Sequence, residues 1–126
     1  MGHVLIIEDE MLIAMHLENL IADIDGTTTD LAATESEAVH LAGVRPPSLI
    51  LSDVRLAEGT GPAAVRAIHD MLGAVPVIYV TGNPEHLDDS APVIAKPVRD
   101  DVLIATASAM LSHGLAAGST NAPFAA

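Results

Sequence analysis

The chain has 126 residues, half of them hydrophobic, which suits one domain with a single core and excludes a wholly disordered chain. It has no cysteine, so disulfides, thiolate metal sites and a cysteine nucleophile are excluded. Seventeen acidic residues against five basic ones give a formal charge of −12, which argues against gripping a nucleic-acid backbone or an anionic membrane surface.

The apolar run VLII at residues 4–7 is short and branched, and predicts a buried strand. From Met11 to Ile24 the period changes. Apolar residues, Leu12 and Met15 among them, recur at three- and four-residue steps, which predicts an amphipathic helix. Asp25-Gly26 stops it, and the β-branched Thr27-Thr28-Thr29 predicts a second strand over residues 26–31. Thr34 or Ser36 can cap a second helix, Thr34 with Glu37 at capping-box spacing, and that helix ends at Gly43, before Pro46-Pro47.

SLILS at residues 48–52 reads as a third strand, and Pro62 suits the first turn of a helix running to Leu72. VPVIYV at 75–80 is a fourth strand, and PVIA at 92–95 a fifth. Between them, residues 85–91 are polar and leave room for one or two helical turns. A last helix is expected over residues 99–111, with Val102, Leu103 and Ala107 on its apolar stripe, followed by a flexible tail from 114 to 126. The domain is therefore expected over residues 1–113. Met15 and Met71 read as core fillers. No apolar run reaches the roughly 18 residues of a membrane span, and the start lacks the basic opening of a secretory signal, so a cytoplasmic protein is expected.

Strands this apolar need helices on both faces of a parallel sheet, which predicts a doubly wound α/β domain. Ligands of such sheets sit at the carboxyl ends of the strands. The first strand ends at Glu8-Asp9, the third at Asp53, the fourth at Thr81, and the fifth at Lys96, the sole lysine of the chain. Singly, these residues read as helix caps, turn residues or solvated charges. Jointly they put three carboxylates, a hydroxyl and an ammonium on one rim. Clustered carboxylates call for a cation, and oxygen ligands favour Mg²⁺. A carboxylate is also a competent nucleophile for phosphoryl transfer, and Asp53 is central. The histidines are scattered without HExxH spacing, and no P-loop or GxSxG is present.

VLIIEDE, LILSDV, VIYVTG and APVIAKP together resemble the receiver domain of two-component response regulators, over residues 3–112. The resemblance implies a flavodoxin-like receiver fold with a five-stranded parallel sheet in the order 2-1-3-4-5. It implies that Glu8, Asp9, Asp53 and the backbone carbonyl of Arg55 hold Mg²⁺. It makes Asp53 the phosphoacceptor, with Thr81 and Lys96 contacting the phosphoryl group, and Lys96-Pro97 a cis bond. Two departures stand out. Val93 occupies the usual aromatic switch position, and the short interval from Thr81 to Lys96 shortens the fourth helix. Both features resemble an atypical alphaproteobacterial receiver group with an F-A-T-G-(apolar)-Y motif, linked to stress-response signalling. Here that stretch reads Tyr79-Val80-Thr81-Gly82-Asn83-Pro84, without the final tyrosine.

A stand-alone response regulator is expected, and a monomer, because the face through which many receivers pair is shortened here; the resemblance implies no enzyme activity beyond its own phosphorylation and dephosphorylation. Its partners would be a sensor histidine kinase or a histidine phosphotransfer protein, docking near the first helix, and a downstream regulatory protein, with no nucleic acid and no membrane. A phosphorylation-independent binding module that regulates a kinase is the alternative. An aspartyl phosphatase would need an acid two residues after the nucleophile, where Arg55 stands.

Overall fold

The computed structural model describes residues 2–82 and 91–120. The elements are β1 (Gly2–Ile7), α1 (Met11–Ala22), β2 (Thr27–Ala32), α2 (Glu35–Val44), β3 (Leu49–Ser52), α3 (Gly61–Leu72), β4 (Val77–Thr81), β5 (Val93–Ala95) and α4 (Asp100–Thr120). All five strands pair in parallel, in the order β2-β1-β3-β4-β5. This is the doubly wound α/β sheet that the apolar strands require.

The period-2 geometry of the strands sorts their residues between two cores. Val4 and Ile6 of β1, Leu49 and Leu51 of β3 and Ile78 of β4 face one way, onto Leu17 and Ile21 of α1 and Leu103 and Ala107 of α4. Leu5, Ile7, Ile50, Val77 and Tyr79 face the other way, onto Ala38 and Ala42 of α2 and Ala64, Val65 and Ile68 of α3. Each fully buried leucine or isoleucine contributes about 1.5–3 kcal/mol over leaving it in water. Tyr79 is 1% exposed and part of this packing.

Local chemistry sets the element ends. Thr34 accepts from the Glu37 amide at 3.1 Å, while the Glu37 carboxylate reaches back to the Ala33 amide at 2.7 Å, so the expected cap forms. Thr60 accepts from the Ala63 amide and caps α3 ahead of Pro62. Gly26, with φ 74°, makes the left-handed turn from α1 into β2.

Three expectations change. Met15 and Met71 are 47% and 46% exposed, not core fillers. The apolar residues of α1 spread over more than one face, and the sheet covers only the face of Leu17, Leu20 and Ile21. Met71 lies instead beside Gly43, across the seam between α2 and α3. Val102, expected on the apolar stripe of α4, is 37% exposed, while Leu103 and Ala107 are fully buried. Finally, α4 continues past residue 111 to Thr120. Gly114 costs only about 1 kcal/mol relative to alanine, and the following Leu-Ala-Ala favours helix. The tail expected from 114 thus has helical backbone as far as Thr120. Residues 121–126 and the expected shortened fourth helix lie outside the described residues.

Candidate functional site

The chain leaves β1, builds β2 on one side, and returns to build β3 on the other. A crevice opens at the carboxyl ends of β1 and β3, where the winding reverses. The ladder delivers the polar residues to it one by one. The Glu8 amide bonds the Ala32 carbonyl at 2.9 Å and the Asp53 amide bonds the Ile7 carbonyl at 2.9 Å. The Lys96 amide bonds the Thr81 carbonyl at 3.0 Å, so Thr81 and Lys96 stand side by side as β4 and β5 end.

Glu8, Asp9 and Asp53 each offer a carboxylate oxygen, and the three atoms lie within 4.8 Å of one another. Lys96 Nζ donates to Glu8 Oε1 and to Asp53 Oδ2, both at 3.2 Å. The Glu8 side chain is fully buried in this pair, and that of Asp53 is 13% exposed. Burial raises the Glu8 carboxyl above its usual 4.5, and the Asp53 charge adds to that rise. The Glu10 amide, which donates to Glu8 Oε2 at 3.2 Å, and Lys96 pull the other way. Burial by itself would lower Lys96, but its bond to Asp53 and the charges of Glu8 and Asp53 outweigh that and leave it raised. Lys96 therefore stays an ammonium throughout the neutral range.

Three carboxylates and one ammonium leave an excess negative charge, which a divalent cation would balance. The donor set is all oxygen, as Mg²⁺ prefers, and a ligand at about 2.1 Å puts opposite vertices of an octahedron about 4.2 Å apart. Small side-chain movements bring a set spanning 4.8 Å into that range.

The structure thus brings Glu8, Asp9, Asp53 and Lys96 together and sets Thr81, 5% exposed, on the same rim. Arg55 lies in the β3–α3 loop with an exposed side chain, bridged to Thr60. The Lys96-Pro97 bond is cis, as the resemblance implies. Beside Lys96 a groove of about 340 Å³ is lined by Leu12, Ile13, His16, Pro97 and Val98. Of these, Leu12 of α1 is 82% exposed.

Sequence reasoning missed two residues behind Asp53. Ser52 is buried and donates to the Asp53 carbonyl at 2.7 Å. Gly61 packs so close that a Cβ there would collide with that carbonyl and with Ser52 Oγ. A lone serine before an aspartate and a glycine eight positions on carry no periodic signal. Only the tertiary approach of α3 reveals them.

A doubly wound domain whose switch-point crevice holds three carboxylates, a threonine and a lysine, with no glycine-rich phosphate loop, presents a rim suited to a cation and an oxyanion rather than to a dinucleotide. The response regulator receiver domain profile matches residues 4–108, and the chain belongs to that family. It is 39% identical over 120 residues to the phyllosphere-induced regulator PhyR of Methylorubrum extorquens, a match covering 89% of this chain and 43% of that protein. The crystal structure of the anti-anti-sigma factor PhyR from Bartonella quintana superposes with a TM-score of 0.81 at 33% identity, over 96% of this chain and 51% of that one. The receiver domain of the PhyR response regulator from Erythrobacter litoralis gives 0.78 at 36% identity, over 88% of this chain and 90% of that one. The chain spans about half the length of the full PhyR proteins it matches.

Proposed function

We propose that this receiver accepts a phosphoryl group on Asp53 from the phosphohistidine of a sensor histidine kinase or a histidine phosphotransfer protein. The observation that carries this reading is the convergence on Asp53. Lys96 bonds its Oδ2 at 3.2 Å, and its carboxylate lies in one cluster with those of Glu8 and Asp9. Glu8, Asp9, Asp53 and the Arg55 carbonyl would hold Mg²⁺, which when bound offsets charge on the transferred group. An Asp53 oxygen forms the new O–P bond, the N–P bond breaks, and its electron pair stays on the donor imidazole. Lys96 and the Thr81 hydroxyl then face the phosphoryl oxygens. The domain acts only on itself, and in that sense is not a turnover enzyme.

The groove beside Lys96, with Leu12 exposed in its lining, supports docking of the donor protein along α1. A charge of −12 speaks for output through protein contacts rather than DNA. Likeness to PhyR, which in Bartonella quintana is an anti-anti-sigma factor, supports a place in a cytoplasmic stress-response phosphorelay. Among the described residues no helix is long and apolar enough to cross a membrane.

Intact mass after incubation with acetyl phosphate tests the reading. Wild type should gain one phosphoryl group only with Mg²⁺, and Asp53→Asn should gain none. Equal labelling of the two proteins would refute Asp53 as acceptor. Absence of any gain, even from a phosphorylated histidine donor, would favour a phosphorylation-independent binding module.

A further inference from the structure

The carboxylate of Asp53 is held at both oxygens. Lys96 donates to Oδ2 at 3.2 Å. Oδ1 accepts from the backbone amide of Val54, at 2.7 Å. That second bond depends on how the peptide between Asp53 and Val54 is turned. A peptide is a rigid, nearly planar unit whose C=O and N–H point in opposite directions when trans. Whatever holds the Asp53 carbonyl therefore also aims the Val54 amide.

The carbonyl is held by Ser52, whose hydroxyl donates to it at 2.7 Å from a position 1% exposed. The next peptide is pinned as well. The Gly61 amide, one of the free donors at the start of α3, bonds the Val54 carbonyl at 2.8 Å. This arrangement needs α3 to lie against both Ser52 Oγ and the Asp53 carbonyl, which only a residue without Cβ permits. The obstacle is backbone, so no side-chain rotation relieves it. The strand side is equally fixed, because the Asp53 amide bonds the Ile7 carbonyl of β1.

We infer that Ser52 is a positioning residue for Asp53. Its hydroxyl locks the plane of the 53–54 peptide, the Val54 amide thereby locks the carboxylate rotamer, and Gly61 makes the room. The inference rests on the reading of Asp53 as phosphoacceptor for its consequence, but its geometry is independent of that reading. Without the hydroxyl, the carbonyl has lost that donor and the peptide is free to tilt toward another one. The carboxylate then follows the amide.

The test uses the full chain, labelled with ¹⁵N and free of metal, as wild type, Ser52→Ala and Ser52→Thr. Ser52→Ala removes one buried atom and introduces no clash. The Val54 amide proton of Ser52→Ala should move upfield and exchange with solvent at least about tenfold faster, while core strand amides change far less. Ser52→Thr, which keeps the hydroxyl, should return both signals toward wild type. With acetyl phosphate and saturating Mg²⁺, the initial labelling rate of Ser52→Ala should fall about tenfold, the scale expected for a misplaced reacting group. A Val54 amide unchanged in Ser52→Ala would overturn the inference, even if the melting temperature fell. So would an altered amide with an unaltered labelling rate. Failure of wild type itself to be labelled by any donor would strike the functional reading, and the amide comparison would still decide the geometry.

Discussion

Lys96 is the sole cation among the described residues placed between Glu8 and Asp53, so its charge can be removed with a readable consequence. Lys96→Met keeps the four-atom stem of the side chain and deletes the ammonium. At 3.2 Å, each lost ion pair is about 5 kcal/mol of Coulomb energy at an effective dielectric of 20, before desolvation is subtracted. Breaking a buried pair from one side typically costs about 3–5 kcal/mol. Because Asp53 and Lys96 retain some solvent contact, about 3 kcal/mol at neutral pH is the expectation.

The pH dependence is the sharper test. Burial already raises Glu8 above 4.5, and the Asp53 charge adds to the rise. Without Lys96 the rise grows. A group whose folded pKa lies above its unfolded value is stabilising when protonated, below the unfolded pKa. That stability is lost as pH climbs through the folded pKa. The deficit of Lys96→Met should therefore be largest at neutral pH and shrink as the pH falls through the raised range in which Glu8 takes up a proton. Millimolar Mg²⁺ should shrink it too. Urea unfolding of the metal-free proteins, followed by circular dichroism at several pH values, measures this. An equal deficit at all pH values, or none at pH 7, would refute the electrostatic account of the crevice.

Three further outcomes follow. Asp53→Asn should weaken Mg²⁺ binding at least several-fold by calorimetry, because one of three clustered carboxylates is neutralised. Gly61→Ala should lower stability by about 1–3 kcal/mol in denaturant melts, since its methyl would meet the Asp53 carbonyl. Leu12→Asp should leave stability within about 0.5 kcal/mol, since Leu12 is 82% exposed. It should slow phosphotransfer from a protein donor but not labelling by acetyl phosphate; equal slowing of both would refute docking along α1.

Much of this architecture is written locally. VLII and LILS announce strands buried on both faces, and Thr34 with Glu37 announces a helix start that forms as expected. The rim is legible because the carboxyl ends of parallel strands must coincide, so Glu8, Asp53, Thr81 and Lys96 can be placed together before any coordinates exist. Other features are set by tertiary contact and leave no local trace. Met15 has helical spacing like its buried neighbours, yet the sheet has no room for a second apolar face of α1. Ser52 ends a strand as any small residue could. Its role appears only when Gly61 brings α3 against the Asp53 carbonyl. The helix past Gly114 is a third case, in which the penalty of one glycine is smaller than the gain from its neighbours.

The most direct measurement locates the phosphoryl group itself. An aspartyl phosphate is an acyl phosphate, and borohydride reduces it to homoserine. After labelling with acetyl phosphate and Mg²⁺, reduction and digestion, peptide sequencing should find homoserine at position 53 and nowhere else. Homoserine at position 9 or at any other carboxylate, with Asp53 intact, would contradict the account.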